Sequence, residues 1–322
     1  MPDSKPMQYR VIDRMPVALG AERSEVIAGL LENPARISPK YFYDELGCAL
    51  YGAICRLVEY YPTRTELEVF REHRAEIAAA AGQGRQLVDL GAGDCCKAQS
   101  WLPYLNPARY VAVDIAAPEI ERSLGRMAPD HPDIEMLGVV ADFTHELPIA
   151  DLLDARPATF FYPGSSIGNF TPVESVAFMR RVHALCEPRG GGLLIGVDGK
   201  KAKPVLDAAY DDALGVTAAF NRNVLAHLNR RFGFDFAIEH YAHRGFYNES
   251  FGRIEMHLEA LRDQAVDLGG EKRRFTRGER IHTENSYKYG GDEFERLLSE
   301  AGFRHVRRWS SAQTPYFVFY AS

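Results

Sequence analysis

From residue 86 onward the sequence alternates short apolar runs with longer segments spaced like helices, and this alternation constrains the fold most. The apolar runs cover residues 86–90, 110–113, 136–140, 158–162 and 193–197. Strands that are buried on both faces of a parallel sheet have continuous apolar runs of this kind. Regular strand–helix alternation is typical of α/β proteins. The pattern therefore predicts a parallel sheet covered by helices on both faces.

The alternation is interrupted after residue 200 and resumes near residue 287. Residues 203–231 have helical spacing, whereas residues 234–261 and 276–289 have the pattern of extended strands. The resumed part consists of a helix and two strands, over residues 291–301, 306–309 and 316–320. We therefore expect a doubly wound sheet that ends in an antiparallel hairpin. We also expect a second, α+β domain built from the N-terminal segment and the insertion.

The first apolar run leads into a glycine turn, Gly91-Ala92-Gly93, and a helix is expected to begin after it. Glycine lets the backbone approach a ligand closely, and the free N–H groups at a helix start attract anionic groups. By itself this pattern is compatible with an ordinary tight turn, with a dinucleotide site and with a site for S-adenosylmethionine.

Acidic residues follow the second and third apolar runs. Asp114 stands where a carboxylate accepts hydrogen bonds from ribose hydroxyls, and Asp142 with Phe143 offers a carboxylate and a ring to an adenine. Cys96 occupies the position at which a dinucleotide-binding turn needs a third small residue. The closing hairpin is typical of Rossmann-like methyltransferases and unusual in dehydrogenases. Together these features favour S-adenosylmethionine as the ligand.

Composition argues against several other classes of function. The 322 residues include 38 basic and 44 acidic side chains, and this balance gives no support for nucleic-acid binding. No run approaches the ~20 apolar residues that cross a membrane, and no secretion signal is visible. The five cysteines suggest neither a disulfide framework nor a zinc site. We expect a cytoplasmic protein of one or two domains, without a metal and without nucleic-acid or membrane partners.

Local signals mark the N-terminal segment and two helix starts. Residues 1–20 are polar and interrupted by prolines, which predicts a loose lead-in. Thr63 with Glu66, and Thr171 with Glu174, have the spacing of a capping box. Each pair predicts that a helix begins at its threonine.

Several less common strings occur outside the glycine turn. They lie at Glu59–Glu66, Gly164–Pro172, Tyr210–Asp212, Gly215–Asn223 and Thr283–Ser286. Together they resemble sequences of the histidine-specific Nα-methyltransferases of the ergothioneine pathway, over residues 24–322. The resemblance implies that methyl groups pass from S-adenosylmethionine to the α-amine of L-histidine until the trimethyl product, hercynine, is formed.

The same resemblance implies two domains. The domain that binds S-adenosylmethionine would comprise residues 63–200 and 287–322. The substrate-binding domain would comprise residues 20–62 and 201–286. This division agrees with the interruption of the strand–helix pattern. L-Histidine is the implied partner, and we expect the protein to be a monomer.

For the cofactor, the resemblance implies roles for residues in the turn and at the strand ends. Lys97 would form a charge-assisted pair with the carboxylate of the methionine part. Gly91 and Gly93 would hold the methionine part itself. The ribose and the adenine would be held by Asp114, Asp142 and Phe143.

For the substrate, the resemblance implies catalytic roles for Tyr60 and Asn169. Asn169 offers a donor and an acceptor to the amine and the carboxylate of an amino acid, and Tyr60 would donate to the carboxylate together with Tyr210. Glu284 and Ser286 are two residues apart on an extended segment, so they should face the same side. This pair would hold the two imidazole nitrogens and make the enzyme histidine-specific.

Other residues are expected to complete the substrate site. Gly164 begins the loop that carries the catalytic asparagine, and Met256 could flank the imidazole ring. Aromatic faces stabilise a quaternary ammonium group, and Tyr43, Tyr60 and Phe143 could supply them to the product. No general base is evident in the sequence.

The chain departs from the family's pattern at two places, Asp94–Cys96 in the glycine turn and Tyr287 after the Glu-x-Ser pair. The first departure should leave the backbone contacts to the cofactor intact, whereas the second could reshape the imidazole end.

Two other interpretations stay open. One is a related methyltransferase that acts on another amino acid or amine, and the other is a dinucleotide-dependent oxidoreductase or a non-catalytic binding relative.

Overall fold

The computed structural model describes residues 9–15 and 19–322. In chain order, its strands are β1 (Tyr9–Asp13), β2 (Ala35–Arg36), β3 (Gln86–Leu90), β4 (Arg109–Asp114), β5 (Glu135–Val140), β6 (Ala158–Tyr162), β7 (Gly192–Asp198), β8 (Tyr241–Asn248), β9 (Arg253–Ala260), β10 (Gln264–Asp267), β11 (Lys272–Phe275), β12 (Arg280–Tyr287), β13 (Val306–Ser310) and β14 (Tyr316–Ala321). Its helices are α1 (Leu19–Leu31), α2 (Glu45–Ile54), α3 (Tyr61–Glu72), α4 (Arg74–Ala81), α5 (Cys96–Gln99), α6 (Leu102–Leu105), α7 (Ala117–Met127), α8 (Pro172–Cys186), α9 (Lys203–Tyr210), α10 (Val216–Phe232) and α11 (Gly291–Ala301).

The large sheet has the strand order β1-β5-β4-β3-β6-β7-β14-β13. The strands from β1 to β7 in this order pair in parallel, whereas β14 is antiparallel to both β7 and β13. Every residue of β3, β6 and β7 is buried, which explains why their sequences are mostly apolar. The predicted α/β fold, with a parallel sheet and a closing antiparallel hairpin, is confirmed.

Helices cover both faces of this sheet because successive side chains of each strand point to opposite faces. On one face, Val88 packs in a cluster with Phe178 of α8 and Phe294 of α11. On the other face, Leu87 packs in a cluster that includes Phe70 of α3. The carboxyl ends of β3, β4, β6 and β7 lie at one edge, where ligands bind in folds of this type.

A second sheet has the order β2-β12-β9-β8. The strands β12, β9 and β8 pair antiparallel, and the short β2 joins β12 in parallel. The N-terminal segment and the insertion share one apolar core with this sheet, in which Phe42 stacks on Phe220 of α10 with 4.6 Å between ring centroids. The helices and antiparallel strands expected in the insertion are confirmed, and the exact domain boundaries stay a prediction.

The expectation of a loose lead-in is wrong for part of the N-terminal segment. Tyr9–Asp13 forms β1, which pairs in parallel with β5 at the edge of the large sheet. Backbone hydrogen bonds to a distant strand hold it there, and Tyr9, Val11 and Ile12 pack against the apolar clusters of the large sheet. Residues 1–8 and 16–18, also covered by that expectation, lie outside the described residues.

One of the two predicted capping boxes is confirmed. Thr171 Oγ1 accepts from the N–H of Glu174 at 3.3 Å, and the Glu174 carboxylate accepts from the N–H of Thr171 at 2.8 Å. The other prediction is wrong, because α3 already begins at Tyr61 and its N-cap makes no side-chain hydrogen bond. Thr63 therefore lies inside the helix, and Glu66 is buried and bonds to distant residues instead.

Candidate active site

A pocket lies between the carboxyl edge of the large sheet and the second sheet. Its wall comes from the N-terminal segment, the loop after β6, helices α9 and α10, and strands β9 and β12. The lining residues are Tyr43, Tyr51, Ile54, Tyr60, Gly164, Ser165, Ser166, Asn169, Ala209, Tyr210, Thr217, Phe220, Met256, Glu284 and Ser286. All eight residues predicted for the substrate side are among them: Tyr43, Tyr60, Gly164, Asn169, Tyr210, Met256, Glu284 and Ser286.

Aromatic rings form much of the pocket wall. Tyr43 packs edge-on against Tyr51 and Phe220, with ring centroids 6.0 and 6.1 Å away, and Tyr60 packs edge-on against Tyr210 at 5.9 Å. The sequence did not single out Tyr51 and Phe220. Both lie on helices, where spacing alone does not separate an aromatic residue of a pocket from one of the core.

Glu284 and Ser286 both face the pocket from β12, as the alternation of side chains along a strand predicts. Glu284 is only 8% exposed. Burial raises the pKa of Glu284 to about 7, and the positive charge of Lys288 opposes this shift. A buried carboxylate is costly unless it is paired or hydrogen-bonded, so this end of the pocket favours a ligand that donates to it.

A buried ionic network supports the pocket behind Ser286. The Nζ atom of Lys288 lies 2.9 Å from Asp198 Oδ2, 2.9 Å from Ser286 Oγ and 3.1 Å from the hydroxyl of Tyr210. The hydroxyl of Tyr210 donates to Ser286 Oγ at 2.9 Å. Burial lowers the pKa of Lys288, but Asp198 and Tyr210 more than compensate and raise it. Lys288 is therefore an ammonium ion.

Asp198, the last residue of β7, is the centre of this network. Besides Lys288, it accepts from the hydroxyl of Tyr61 at 2.6 Å and from the ammonium of Lys201 at 2.5 Å. Burial raises the pKa of Asp198, but the two lysines and Tyr61 outweigh burial and lower it. The sequence reasoning missed this network. Lys288 lies two residues after Ser286 and four after Glu284, so strand alternation turns its side chain to the same side as theirs. This spacing is the sequence signal from which Lys288 could have been predicted.

The loop after β6 reaches the pocket through close backbone contacts. Gly164 has a φ of +80°, and its N–H donates to Glu66 at 2.6 Å. A Cβ atom at Gly168 would lie 2.9 Å from the carbonyl oxygen of Tyr287. Glycine at this position therefore lets the turn that carries Asn169 pack directly on β12.

Arg64 holds the segment that carries Tyr60. Its guanidinium donates to the carbonyls of Leu57 at 2.6 Å, Val58 at 2.5 Å and Tyr60 at 3.2 Å. Burial, followed by the neighbouring Tyr51, raises the pKa of Tyr60 well above its ordinary value. Tyr60 thus stays a phenol that can donate a hydrogen bond at neutral pH.

The glycine turn after β3 lies beside this pocket. Gly91 and Gly93 have φ values of +69° and +51°, which favour glycine. A Cβ atom at Gly91 would lie 3.7 Å from Cζ of Phe143, and a Cβ atom at Gly93 would have no heavy atom within 4 Å. The turn therefore forms an open cradle next to an aromatic ring, and these residues fit the nucleoside and amino-acid parts of S-adenosylmethionine.

The two acidic residues at the strand ends are ordered by backbone donors. Asp114 accepts from the N–H of Gly93 at 2.8 Å, and burial raises the pKa of Asp114. Asp142 accepts from the N–H of Thr144 at 3.0 Å and lies 3.4 Å from Nζ of Lys40. Burial raises the pKa of Asp142, but the bonds from Thr144 and Lys40 together lower it. Asp142 is therefore ionised and can accept further hydrogen bonds.

Lys97 links the glycine turn to the pocket loop. Its Nζ atom donates to Glu66 at 2.6 Å, and Glu66 also accepts from the N–H of Gly164 and the hydroxyl of Tyr316, both at 2.6 Å. The Lys97 side chain is 30% exposed. Because an ammonium has three N–H groups, Lys97 can donate to a ligand without leaving Glu66.

The side chains at the two departures from the family's pattern are not among the residues that line the pocket. The hydroxyl of Tyr287 accepts from Arg253 at 2.7 Å, and its ring stacks with Tyr289. The expectation that Tyr287 reshapes the imidazole end is wrong, because strand alternation turns its side chain away from the pocket. In the glycine turn, Cys95 is buried with a φ of +57° and Cys96 is exposed.

Over residues 9–15 and 19–322, no group of three or more His, Cys, Asp or Glu side chains is arranged to hold a metal ion. In the same part of the chain, no helix is long and apolar enough to span a bilayer. All five cysteines have free thiols.

Comparison with known proteins gives the family of the chain. Residues 22–322 match the model of a family described as histidine-specific methyltransferase, SAM-dependent. The chain is 38% identical over 302 residues to histidine N-alpha-methyltransferase of Mycolicibacterium smegmatis, covering 91% of this chain and 92% of that protein. It is 36% identical over 299 residues to the Mycobacterium tuberculosis protein of the same name, covering 90% and 91%.

A third relative is longer than this chain. It is the ergothioneine biosynthesis protein 1 of Neurospora crassa, which is 30% identical over 289 residues, covering 87% of this chain and 32% of that protein. The family match and the fold agree with the open cradle that the glycine turn forms. The chain therefore belongs to the histidine-specific, S-adenosylmethionine-dependent methyltransferases.

Proposed function

We propose that this chain transfers methyl groups from S-adenosylmethionine to the α-amine of L-histidine, three in succession, to give hercynine. The observation that carries the proposal is one pocket that unites Asn169 with Glu284 and Ser286. Asn169 offers a donor and an acceptor to the amino-acid head group, and the other two offer polar partners to the ring nitrogens. An amino acid without the ring would leave these buried groups unpaired, which such sites reject strongly.

When bound, S-adenosylmethionine supplies a methyl group on a positively charged sulfur. We propose that Lys97 binds the carboxylate of its methionine part. Asp142 would accept from the amino group of the adenine. The complete set proposed for the cofactor is Gly91, Gly93, Lys97, Asp114, Asp142 and Phe143.

The chain's own contribution to the transfer is orientation in a pocket that excludes water. Holding the reacting groups in line removes much of the entropic part of the barrier. We propose Tyr60 and Asn169 as the catalytic residues, with Tyr60 donating to the carboxylate and Asn169 fixing the amine. The hydroxyl of Tyr210 already bonds to Ser286 and Lys288, so in place of the carboxylate contact expected from the resemblance we propose that Tyr210 serves the end of the pocket that holds the ring.

Aromatic rings of the pocket would stabilise the cationic product. Tyr43 and Tyr60 line the pocket, and Tyr51 and Phe220 join them there. Each ring face within reach of a quaternary ammonium contributes about 0.5–2 kcal/mol. Phe143 is not one of the lining residues, so we propose that it serves the cofactor alone.

We further propose that the enzyme works as a monomer in the cytoplasm. The eight residues predicted for the substrate side meet in one pocket. The free state of all five cysteines fits a reducing compartment. Size-exclusion chromatography with light scattering tests the oligomeric state, and a stable dimer would contradict the proposal.

The proposed activity is tested by mass spectrometry after incubating the protein with S-adenosylmethionine and each of the twenty amino acids. Histidine should gain one, two and three methyl groups, and the other amino acids should stay unmodified. Methylation of another amino acid with none on histidine would refute the proposal and favour a related methyltransferase of different substrate.

The role of the end of the pocket that contains Glu284 and Ser286 is tested by Glu284→Ala. This change should weaken histidine binding about tenfold or more, because a buried charge-assisted hydrogen bond is lost, and should leave the binding of S-adenosylhomocysteine unchanged. Glu259→Ala is a matched control, because Glu259 pairs with Arg244 and Arg280 and is not one of the lining residues. If Glu284→Ala weakened the binding of histidine and of S-adenosylhomocysteine equally, the proposal that Glu284 binds the imidazole ring would be refuted.

A further inference from the structure

Lys288 lies behind the substrate pocket rather than in its wall. Its Nζ atom contacts two lining residues, Tyr210 and Ser286, and a third group, Asp198, which is not one of the lining residues. The side chains of Lys288 and Asp198 are both fully buried. An ammonium has three N–H groups and no lone pair, so these three contacts can use all of its protons.

Ser286 receives two of the hydrogen bonds in this cluster. Lys288 donates to Ser286 Oγ at 2.9 Å, and the hydroxyl of Tyr210 donates to the same oxygen at 2.9 Å. A serine oxygen has two lone pairs and one proton of its own. With both lone pairs occupied, the Ser286 hydroxyl is left as a donor, and Ser286 lines the pocket.

The charge of Lys288 also decides which form of an imidazole suits this end of the pocket. The ammonium of Lys288 lies 2.9 Å from Ser286 Oγ, so it would repel a positively charged ring that binds against Ser286. A neutral imidazole carries one N–H and one unprotonated nitrogen. These two atoms match the acceptor Glu284 and the donor Ser286, whereas the two N–H groups of an imidazolium do not.

We propose that Lys288 is a positioning residue that turns the Ser286 hydroxyl into the pocket, so that the site holds neutral imidazole. The ring N–H then donates to Glu284, and the unprotonated nitrogen accepts from Ser286. Asp198 holds Lys288 in place, so the end of β7 in the large sheet controls how the second sheet recognises the ring. This inference rests on the proposed function, because it takes the ligand of this end to be the ring of histidine.

The first test compares histidine with two analogues, 3-(pyrrol-2-yl)alanine and 3-(pyrrol-3-yl)alanine. Each keeps a ring N–H at one of the two nitrogen positions of histidine and has C–H at the other. Calorimetry in the presence of S-adenosylhomocysteine gives their affinities. The wild-type protein should bind histidine about 10- to 100-fold more tightly than the better analogue, since the analogue leaves a buried donor unpaired.

Two double variants then separate the role of Lys288 from that of the ion pair. Asp198→Asn with Lys288→Met removes the ammonium from Ser286. Asp198→Asn with Lys201→Met is the matched control, because Lys201 also pairs with Asp198 but bonds otherwise to the carbonyls of Gly199 and Pro315. Each double variant removes one buried positive charge together with its negative partner.

The preference for histidine over the better analogue should fall below about threefold in the Lys288 variant, because Ser286 regains a free lone pair and can rotate. It should persist in the Lys201 control, because the amide oxygen that Asp198→Asn leaves at this position can still accept from Lys288. A role of Lys288 in folding alone would weaken all three ligands in parallel and leave the preference unchanged, which would overturn the proposal.

A second measurement needs no variant. Nitrogen NMR of ring-labelled histidine, bound to the wild-type protein with S-adenosylhomocysteine, should show one protonated and one unprotonated nitrogen. Two protonated nitrogens would overturn the proposal even if neither double variant folds. If the wild-type protein does not bind histidine at all, the proposed function itself fails. This outcome differs from an unchanged preference in the Lys288 variant and from two protonated nitrogens, each of which overturns only the role of Lys288.

Discussion

Glu66 allows a sharp test because its two carboxylate oxygens serve different parts of the site. Oε1 accepts from the N–H of Gly164 and from the hydroxyl of Tyr316, whereas Oε2 accepts from Lys97, each at 2.6 Å. The Glu66 side chain has no exposed surface. One residue therefore anchors both the pocket loop and the lysine proposed for the cofactor.

Two substitutions should separate these roles. Glu66→Gln keeps an acceptor for Gly164 and Tyr316 but turns an NH2 group toward Lys97, so only the ion pair is lost, at about 1–3 kcal/mol. Glu66→Ala also strands two buried donors, and each costs about 1–3 kcal/mol when unpaired. We therefore expect Glu66→Ala to destabilise the protein by about 3–9 kcal/mol, of which about 2–6 kcal/mol comes from the two donors, a large part of the ~5–15 kcal/mol that typically holds a protein folded.

Urea unfolding measures the loss of stability, and calorimetry measures the affinity for S-adenosylhomocysteine. Glu66→Gln should weaken this ligand severalfold, because Lys97 is no longer held beside the turn. Glu68→Gln is the control, since Glu68 lies on the same helix with its side chain exposed. The reasoning is refuted if Glu66→Ala costs no more stability than Glu66→Gln, or if Glu66→Gln behaves like the control.

Histidine binding should strengthen as the pH rises through about 7, because burial raises the pKa of Glu284 to about 7 and the carboxylate accepts the ring N–H more strongly than the protonated acid does. Calorimetry across this range checks the trend, and a flat profile would contradict it. Arg64→Ala should raise the KM for histidine more than that for S-adenosylmethionine, because three carbonyls lose their donor; steady-state kinetics would show otherwise if both rose equally. Gly168→Ala should cost about 1–3 kcal/mol, since its Cβ atom would lie 2.9 Å from a backbone oxygen, whereas Gly52→Ala, with nothing within 4 Å, should cost nothing in urea unfolding.

Much of the fold and of the site could be predicted from local pattern. The apolar runs predicted β3 to β7, because strands buried on both faces consist mostly of apolar side chains. The two-residue spacing of Glu284 and Ser286 predicted that both face one side of β12. The glycine turn predicted an open backbone cradle, because positive φ values favour glycine.

Other features have no local signature. The sequence around Thr63 and Glu66 fits a capping box, yet Glu66 bonds to Tyr316, which lies 250 residues further along the chain. The short strand β1 is held by pairing with the distant strand β5. In both cases the partner is distant in sequence, so spacing along the chain carries no information about it.

The sequence by itself determined the strands and helices of the large sheet from β3 onward, the closing hairpin and eight of the residues that line the pocket. Those properties follow from side-chain periodicity and from recognisable strings, both of which are local. Only the tertiary structure decided that Lys288 and Asp198 form a buried pair behind Ser286. The cost of burying each charge is offset only when the two sheets bring the opposite charge and the hydroxyl groups within hydrogen-bond distance.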